Sequence, residues 1–231
     1  MSNSKQTRLS VIMPCYNEEK TIYEIIKKIN NVKINKEIII VNDGSTDQTS
    51  NMLKKIKQKN IKIIENPKNE GRANAIKKAI EKASGNIIIL QDADLEYDPE
   101  DYYKIIEPIN NGESQIVFGS RYLERKKWKM NRYLLCTKIL NILANVLYKT
   151  NLTDQATCYK AFNINIIKDL KIKSKRFEFD SEFVAKVSKK GYRIKEVPIS
   201  YYPRTTKEGK KVKFRDGLEA IYTIIKYRFI N

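Results

Sequence analysis

The chain has 231 residues, enough for one domain with a full hydrophobic core, and its 45 Lys and Arg against 27 Asp and Glu give a net charge of +18. That charge suggests an anionic partner such as nucleic acid, an anionic membrane surface or a phosphorylated ligand, although a solvated basic surface would give the same balance. The complete absence of histidine excludes Ser-His-Asp triads, Cys-His dyads and histidine-based zinc sites.

The first half of the sequence alternates predicted strands and helices. The predicted strands are "RLSVIMP" (8–14), "EIIIVND" (37–43), "IKIIE" (61–65), "NIIIL" (86–90) and "SQIVFG" (114–119). Helices are predicted after Asn17 as N-cap, near 46–59, near 71–84, and from Pro99 with Asp98 as its N-cap. Apolar runs without alternation are typical of strands covered on both faces, so the pattern predicts an α/β fold with a mostly parallel sheet.

From about Glu124 the pattern changes. The basic segment "RKKWKMNR" leads into an apolar helix from Arg132 to Lys149, on which the polar residues form only a narrow stripe. Such a helix either packs inside the protein or lies in a bilayer interface, and the Trp128 and cations before it favour the interface. A helix in "FEFDSEFVAKVSKKG", a strand in "YRIKEVPISYY", a polar loop in "RTTKEGKKVKF" and a final helix ending near Arg228 follow.

Two acidic clusters follow predicted strands, where the ligands of parallel sheets bind. Asp43 in "VNDGSTDQT" could also simply cap the next helix, but the pair Asp92 and Asp94 in "QDADLEYDPED" precedes a helix that already has its own cap. Carboxylates one residue apart repel each other unless a cation lies beside them, and Mg²⁺ or Mn²⁺ with Glu96 as a further ligand would suit them. Neither GxGxxG after the first strand nor GxxxxGK[ST] occurs, which argues against a dinucleotide enzyme or a P-loop ATPase. A sheet that uses acidic strand ends and a metal instead of a glycine-rich loop points to nucleotide-sugar chemistry.

The motifs also carry a family resemblance over residues 8–217. "VIMPCYNEE", "VNDGSTDQT", "NEGRANAIKKA", "QDADLEYDPED" and "FGSRYL", in this order and spacing, resemble the inverting glycosyltransferases of family 2, which have the GT-A fold, a Rossmann-like sheet flanked by helices. The later "TDQATCYKAF", "FEFDSEF", "GYRIKEVPISYYPR" and "GKKVKFRDG" resemble the branch of dolichol-phosphate mannosyltransferases and bacterial polyprenyl-phosphate glycosyltransferases. The resemblance implies a single domain over 1–231, with a nucleotide-sugar half at about 8–122 and an acceptor and membrane half at about 123–231.

The resemblance also implies roles for individual residues. The nucleotide would lie against Pro14, Tyr16, Glu18, Val41, Asp43, Asp92 and Ala93. The metal would be held against the diphosphate by Asp94 and Glu96, with Asp92 beside them; related mannosyltransferases carry glutamine at the position of Glu96. Besides Asp94, the catalytic residues that contact donor or acceptor phosphates would be Arg121, Arg204, and Lys210 or Lys211.

The acceptor decides whether a general base is needed. A hydroxyl acceptor must lose a proton, whereas a phosphate is already anionic at neutral pH. Without histidine, the candidate bases on the acceptor side are Asp180, Glu182 and Asp154, each of which could equally be a solvated or helix-capping residue. Arg132 is expected to help receive a lipid phosphate.

The sequence therefore predicts metal-dependent transfer of a hexose from GDP-mannose or UDP-glucose to a polyprenyl phosphate. The open alternative is a family 2 enzyme that uses a saccharide or another hydroxyl acceptor in surface-polysaccharide synthesis. The N-terminal "MSNSKQTRLS" lacks the apolar region of a signal peptide and no apolar run approaches the roughly 18 residues of a membrane span, so the expected location is cytoplasmic and peripheral, on the inner face of the membrane. Expected partners are the donor, the lipid acceptor and an anionic membrane surface, with or without a separate membrane protein, and no nucleic acid, because nucleic-acid-binding motifs are absent.

Overall fold

Seven strands form one mixed sheet in a computed structural model that describes residues 8–124, 132–204, 211 and 214–230. The strands are β1 (Leu9–Cys15), β2 (Lys36–Asp43), β3 (Ile61–Asn66), β4 (Ile87–Leu90), β5 (Ile116–Ser120), β6 (Lys160–Asn163) and β7 (Ile194–Pro198). Their order across the sheet is β3-β2-β1-β4-β6-β5-β7, and only β6 runs antiparallel to its neighbours. The predicted α/β class with a mostly parallel sheet is confirmed.

The apolar runs became central strands because helices cover both faces of the sheet. The helices are α1 (Ile22–Asn31), α2 (Thr49–Lys54), α3 (Arg72–Glu81), α4 (Tyr102–Asn110), α5 (Arg132–Tyr148), α6 (Ile164–Lys168), α7 (Phe179–Lys189) and α8 (Phe214–Phe229). Side chains of β1, β2 and β4 such as Val11, Ile39 and Ile88 are completely buried in the resulting core. Asp98 caps the turn before α4 as predicted, because its side chain accepts a hydrogen bond from the Glu100 amide at 3.1 Å.

The predicted start of the first helix is wrong. The helix begins at Ile22, whereas Asn17 has a left-handed φ of 51° and is not its N-cap. The Asn17 backbone instead donates to Ser45 Oγ at 2.9 Å, and its side-chain oxygen accepts from the Thr46 amide at 2.8 Å. This contact holds the loop after β1 against the loop after β2, so Glu18 lies near the carboxyl edge of the sheet rather than in a helical turn.

Glu37 ties together the opposite, amino-terminal edge of the sheet. Its buried carboxylate accepts hydrogen bonds from Ser10 Oγ at 2.7 Å and from the Ser84 amide at 2.6 Å, and Lys62 Nζ lies 2.9 Å from it. Burial alone would raise the pKa of Glu37, but Lys62 and the hydrogen-bond donors lower it to about 2. Glu37 is therefore ionised throughout the physiological pH range and links β1, β2 and the turn before β4.

Helices α5 and α8 pack side by side and run in the same direction. Near their amino ends, a Cβ placed on Gly217 would lie 3.3 Å from Cys136 Sγ, and near their carboxyl ends Tyr148 Oη donates to the Ile224 carbonyl at 2.7 Å. Of the polar residues in the stripe predicted on 132–149, Asn141 and Asn145 bond the backbone of 152–155, whereas Lys138 and Lys149 are exposed.

The exposed surface of this helix pair carries two rows of apolar side chains. The exposed large apolar residues are Leu135, Ile139, Ile142 and Val146 on α5 and Leu218, Tyr222, Ile225 and Phe229 on α8; the cations Lys138, Arg215, Lys226 and Arg228 are exposed on the same helices. Both sets have the spacing i, i+4, i+7, i+11, so each forms one stripe along its helix. Trp128 and the cations of 125–131 lie outside the described residues. No helix in the described part of the chain has the length and apolar character that crossing a bilayer requires.

Candidate active site

The carboxyl ends of β1, β2 and β4 adjoin in the sheet, and the segments that follow them open into one cavity of about 930 Å³. This volume is near the upper end of the range typical of small-molecule sites. The predicted site residues that line it are Pro14, Tyr16, Asp43, Asp92, Asp94, Glu96, Arg121, Asp180, Arg204 and Lys211. The residues predicted from separate motifs thus line one cavity, although they are spread from Pro14 to Lys211 in the sequence.

Other predicted site residues are not on the cavity wall. Val41 is buried near the end of β2 and Ala93 in the loop after β4, and Glu18 lies behind Arg204 and Lys211. Asp154 and Glu182 are completely buried. Lys210 and the side chain of Arg132 lie outside the described residues.

Asp43 organises the loop that follows β3. Its Oδ1 accepts from Asn66 Nδ2 at 2.7 Å and from the Glu70 amide at 2.9 Å, while its Oδ2 accepts from the Gly71 amide at 2.8 Å. Gly71 has a φ of +99°, and a Cβ there would lie 2.3 Å from the Lys175 carbonyl oxygen, so this position requires glycine. Asp43 does not cap α2, so the helix-capping role that the sequence left open is excluded.

Asp92 belongs to a buried chain of alternating charges. Arg72 Nε donates to Asp92 Oδ1 at 3.0 Å, and Arg72 Nη1 lies 3.6 Å from Asp180, which in turn pairs with Lys160 Nζ at 2.7 Å. Burial would raise the pKa of Asp92, but the positive charge of Arg72 outweighs it and holds the pKa below its usual value. Lys160 is itself completely buried, with its ammonium 4.7 Å from the centre of the Phe118 ring.

Three carboxylates surround Arg204 at the acidic corner of the cavity. Its guanidinium lies 2.9 Å from Asp94 Oδ2 and 3.2 Å from Glu18 Oε2, and its backbone amide donates to Glu96 Oε1 at 2.8 Å. Lys211 adds a second cation, 2.5 Å from Glu18 Oε1. The corner therefore has more acidic than basic groups even with both cations in place.

A divalent cation would suit this corner, with Asp94 at its centre. Burial and the like charges of Asp92 and Glu96 raise the pKa of Asp94 to about 7 although Arg204 opposes them, and a metal ion would relieve that repulsion. Asp92 is directed at Arg72, however, and Glu96 accepts from Tyr201 Oη at 2.8 Å. Within the described ranges no three acidic or thiol side chains converge as a metal site, so metal binding there would require Arg204 to release Asp94.

Arg121 is fixed at the cavity wall by Asp154. Its Nε and Nη2 donate to the two Asp154 oxygens at 2.6 and 2.7 Å, and its backbone amide donates to Oδ2 at 3.0 Å. The guanidinium also lies over the ring of Tyr201, 5.0 Å from its centre. This rigid arrangement presents a permanent positive charge to the cavity and leaves Asp154 no free oxygen.

Glu182 does not line the cavity. Its carboxylate accepts from the amides of Lys173 at 2.8 Å and Ser174 at 2.6 Å, and Lys186 Nζ pairs with it at 2.6 Å. Burial opposes ionisation, but Lys186, Ser174 and the amides together lower the pKa of Glu182. It anchors the segment before α7 to that helix.

Several residues at or next to the cavity were missed from the sequence: Arg72 lines it, and Lys160 is buried behind Asp180. Arg72 occurs in "NEGRANAIKKA" and Lys160 in "TDQATCYKAF", yet neither was assigned a role. A signal existed in both cases, because a charged residue amid an apolar helix face or strand needs a buried partner. The apolar end of the cavity, formed by residues of α5 and α8 such as Leu140 and Ala220, was also missed.

Comparison with known proteins agrees with this architecture. The family described as "Glycosyl transferase family 2" matches residues 10–171. The dolichol-phosphate mannosyltransferase of Pyrococcus furiosus is 30% identical over 95% of this chain and 64% of its own length, and the low-salt glycan biosynthesis hexosyltransferase Agl6 of Haloferax volcanii is 30% identical over 90% and 51%. The chain thus spans about half to two thirds of these two relatives.

Among solved structures, glucosyl-3-phosphoglycerate synthase of Mycobacterium tuberculosis, in complex with Mn²⁺, UDP and phosphoglyceric acid, superposes with a TM-score of 0.75. The match covers 97% of this chain and 80% of the synthase at 18% identity, and it shows that the two share the GT-A fold. The same synthase has been solved with Mg²⁺ and UDP. Since the family match extends over most of the sequence and the fold agrees with it, the chain belongs to glycosyl transferase family 2.

Proposed function

We propose that this glycosyltransferase transfers a hexose from a nucleotide-sugar, GDP-mannose or UDP-glucose, to a polyprenyl phosphate with inversion at the anomeric carbon. The observation that carries the choice of acceptor is the state of the three candidate bases. Asp154 is taken up by Arg121, Asp180 by Lys160 and Arg72, and Glu182 by Lys186 and two amides. Each carboxylate is in direct contact with a cation, and acting as a general base would require it to give up that contact.

A phosphate acceptor removes the need for such a base. A phosphate monoester has a second pKa of about 6 and is already a dianion at neutral pH. One of its oxygens attacks the anomeric carbon and forms the new C–O bond, while the bond to the donor diphosphate breaks and the nucleoside diphosphate leaves with the electron pair. The atoms and charges balance without any proton transfer.

Arg121, Arg204 and Lys211 supply the charge for both phosphates. Arg121 is fixed by Asp154, so its guanidinium is preorganised toward the cavity. Arg204 and Lys211 now neutralise Glu18 and Asp94 and would turn to the anionic ligands. A bound Mg²⁺ or Mn²⁺, held by Asp94 with Glu96 and Asp92 close by, would stabilise the leaving diphosphate as a Lewis acid. The metal complexes of the mycobacterial synthase support this assignment.

The exposed apolar stripes of α5 and α8 support a location on a membrane, at its cytosolic face. An apolar surface of this kind lies favourably at a bilayer interface, and the cations of 125–132 would add attraction to anionic lipid. The resemblance to a dolichol-phosphate mannosyltransferase agrees with a lipid acceptor. A separate membrane protein that covers the same stripes stays a prediction.

The test is a thermal-shift screen of GDP-mannose and UDP-glucose with Mn²⁺, followed by transfer assays with the donor that stabilises the protein. Ligands that bind the folded state raise the midpoint of unfolding by mass action. We expect transfer to farnesyl phosphate and none to a neutral saccharide. Efficient glycosylation of a saccharide or of phosphoglyceric acid, with none of farnesyl phosphate, would overturn the proposal.

A further inference from the structure

The backbone turn that carries Asp154 is held by a carboxylate of β7. Glu196 Oε2 accepts hydrogen bonds from the Thr153 amide at 2.7 Å and from Thr153 Oγ1 at 2.8 Å, and Glu196 Oε1 accepts from the Asp154 amide at 2.9 Å. Three donors of two consecutive residues therefore converge on one side chain. Glu196 does not line the cavity, so it can affect a ligand there only through the residues that it holds.

The same turn holds Arg121 at the cavity wall. The Asp154 carboxylate is completely buried and binds Arg121 Nε and Nη2 at 2.6 and 2.7 Å. Ser120, the residue before Arg121, has its Oγ 2.7 Å from Thr153 Oγ1. Glu196, the 153–154 backbone, Asp154 and Arg121 thus form one connected series, in which a shift of the turn would move both the guanidinium and the backbone that carries it.

Glu196 occupies a place that disfavours its charge. Its neighbour Lys195 pairs with Glu113 instead, and within the described ranges no ion pair of Glu196 is found. Burial above all, together with the like charge of Asp154, raises the pKa of Glu196, although the donors of Thr153 and Asp154 oppose this. A half-buried carboxylate without a cation, placed directly behind a residue of the cavity wall, is a candidate for a role in function.

We propose that Glu196 is a positioning residue for sugar transfer, which fixes the direction in which Arg121 presents its guanidinium to the acceptor phosphate. This inference rests on the proposed function, which assigns Arg121 to the phosphates. A guanidinium is planar, so it can form parallel hydrogen bonds with a phosphate only at a defined angle. Asp154 sets that angle, and Glu196 fixes the backbone from which Asp154 extends.

The first test replaces this carboxylate with Glu196→Gln. Glutamine keeps the shape, but its amide nitrogen is a donor and would face the donors of Thr153 or Asp154. We expect KM for farnesyl phosphate to rise about fivefold or more, while donor KM changes less than about twofold. Glu113→Gln is the matched control, because it makes the same replacement at an exposed carboxylate that pairs with Lys195, and it should behave as wild type.

The second test is a double-mutant cycle with Arg121→Lys. Lysine keeps a cation beside Asp154 but cannot contact both carboxylate oxygens in the planar arrangement of arginine. If Glu196 acts through Arg121, adding Glu196→Gln to Arg121→Lys should change kcat/KM for farnesyl phosphate less than about twofold. A merely structural role would lower the unfolding midpoint and reduce kcat/KM by the same factor in both backgrounds.

A milder variant keeps the cycle decisive if Glu196→Gln fails to fold. Thr153→Val removes one of the three donors to Glu196 and keeps the size of the side chain. We expect it to raise KM for farnesyl phosphate about threefold in the wild-type background and to have less than about a twofold effect together with Arg121→Lys. Urea unfolding of each variant establishes that the compared proteins are folded.

The outcomes separate this inference from the proposed function. If the wild type glycosylates farnesyl phosphate but the folded variant leaves acceptor KM unchanged, raises only donor KM, or has the same effect in both backgrounds, only this inference is wrong. If the wild type does not use farnesyl phosphate at all, the proposed function is wrong and this inference is overturned with it.

Discussion

Lys160 and Asp180 form an ion pair of 2.7 Å in which the ammonium is completely shielded from solvent. The pair connects β6 to α7, and through Arg72 it continues to Asp92 at the acidic corner. Asp180 therefore acts as a counter-ion for two buried cations.

This pairing predicts that Asp180→Asn damages stability rather than the chemical step alone. The substitution keeps the shape but leaves the Lys160 charge uncompensated, which costs about 3–5 kcal/mol for a buried pair. Urea unfolding should show this loss, and the double variant Asp180→Asn with Lys160→Met should recover part of it. A general base would behave differently: Asp180→Asn would keep wild-type stability and lose only kcat.

The metal assignment predicts the effect of Asp94→Ala. Without this carboxylate, Mn²⁺ should no longer strengthen nucleotide binding, and transfer should fall at least a hundredfold because the leaving diphosphate loses its counter-ion. Calorimetric titration of GDP and UDP with and without Mn²⁺ measures the first effect. Glu100→Ala, which removes an exposed carboxylate nearby in sequence, is the control, and wild-type activity in excess EDTA would exclude the metal mechanism.

Glu37 predicts a dependence of stability on pH. The pKa of Glu37 is lowered to about 2 in the folded protein, below its ordinary value of 4.5, so its contribution is complete above pH 4.5 and disappears as the pH falls toward 2. Glu37→Gln should thus lower the free energy of unfolding at pH 7 by about 2–3 kcal/mol. The difference between wild type and variant should shrink steadily in denaturant titrations below pH 4.5; a constant difference would contradict the pairing.

The exposed apolar stripes of α5 and α8 predict which substitutions abolish membrane binding. Replacing Ile142, Val146 and Phe229 with serine removes apolar side chains that each contribute about 1.5–3 kcal/mol when buried in an apolar phase. Binding to anionic liposomes should fall at least tenfold in a flotation assay, while donor binding and the unfolding midpoint stay unchanged. Leu134→Ser is the contrasting variant: this side chain is buried, so its replacement should lower stability. Undiminished flotation of the triple variant would show that the stripes do not bind lipid.

The sequence predicted the features that local pattern determines. Segments rich in apolar residues predicted six of the strands, with uninterrupted isoleucine runs in β2 and β4. The acidic motifs after β2 and β4 came together because parallel strands deliver their carboxyl ends to one edge. Strand β6 was missed because it has only four residues and begins with Lys160. A buried lysine is compatible with a strand only when a distant partner such as Asp180 is in place, and no local pattern reveals that partner.

The same limit applies to the site. The identities of Asp94, Arg121 and Arg204 followed from motifs, but their pairing did not, because Arg204 meets Asp94 across 110 positions of sequence. The face of α5 that meets the protein was also hidden. The sequence left open whether this helix packs inside the protein or lies in a bilayer interface, and the structure shows Asn141 and Asn145 bound to the backbone of 152–155. Polar side chains on an apolar helix indicate a partner without telling whether it is water or protein.

The reversed direction of β6 has a consequence for how the segment between β5 and β6 can change. Strand β5 ends at Ser120 on the edge that carries the cavity, and β6 starts from that same edge at Lys160. The segment 121–159, which includes α5, therefore leaves the sheet and returns to it at the same edge. A change of length in it would alter the cavity wall that α5 lines while the pairing of β1, β2 and β4 stays intact. Within this segment, Arg121 and Asp154 hold each other in place, so a change of length elsewhere in it would leave that pair and the strands that carry Asp43 and Asp94 intact.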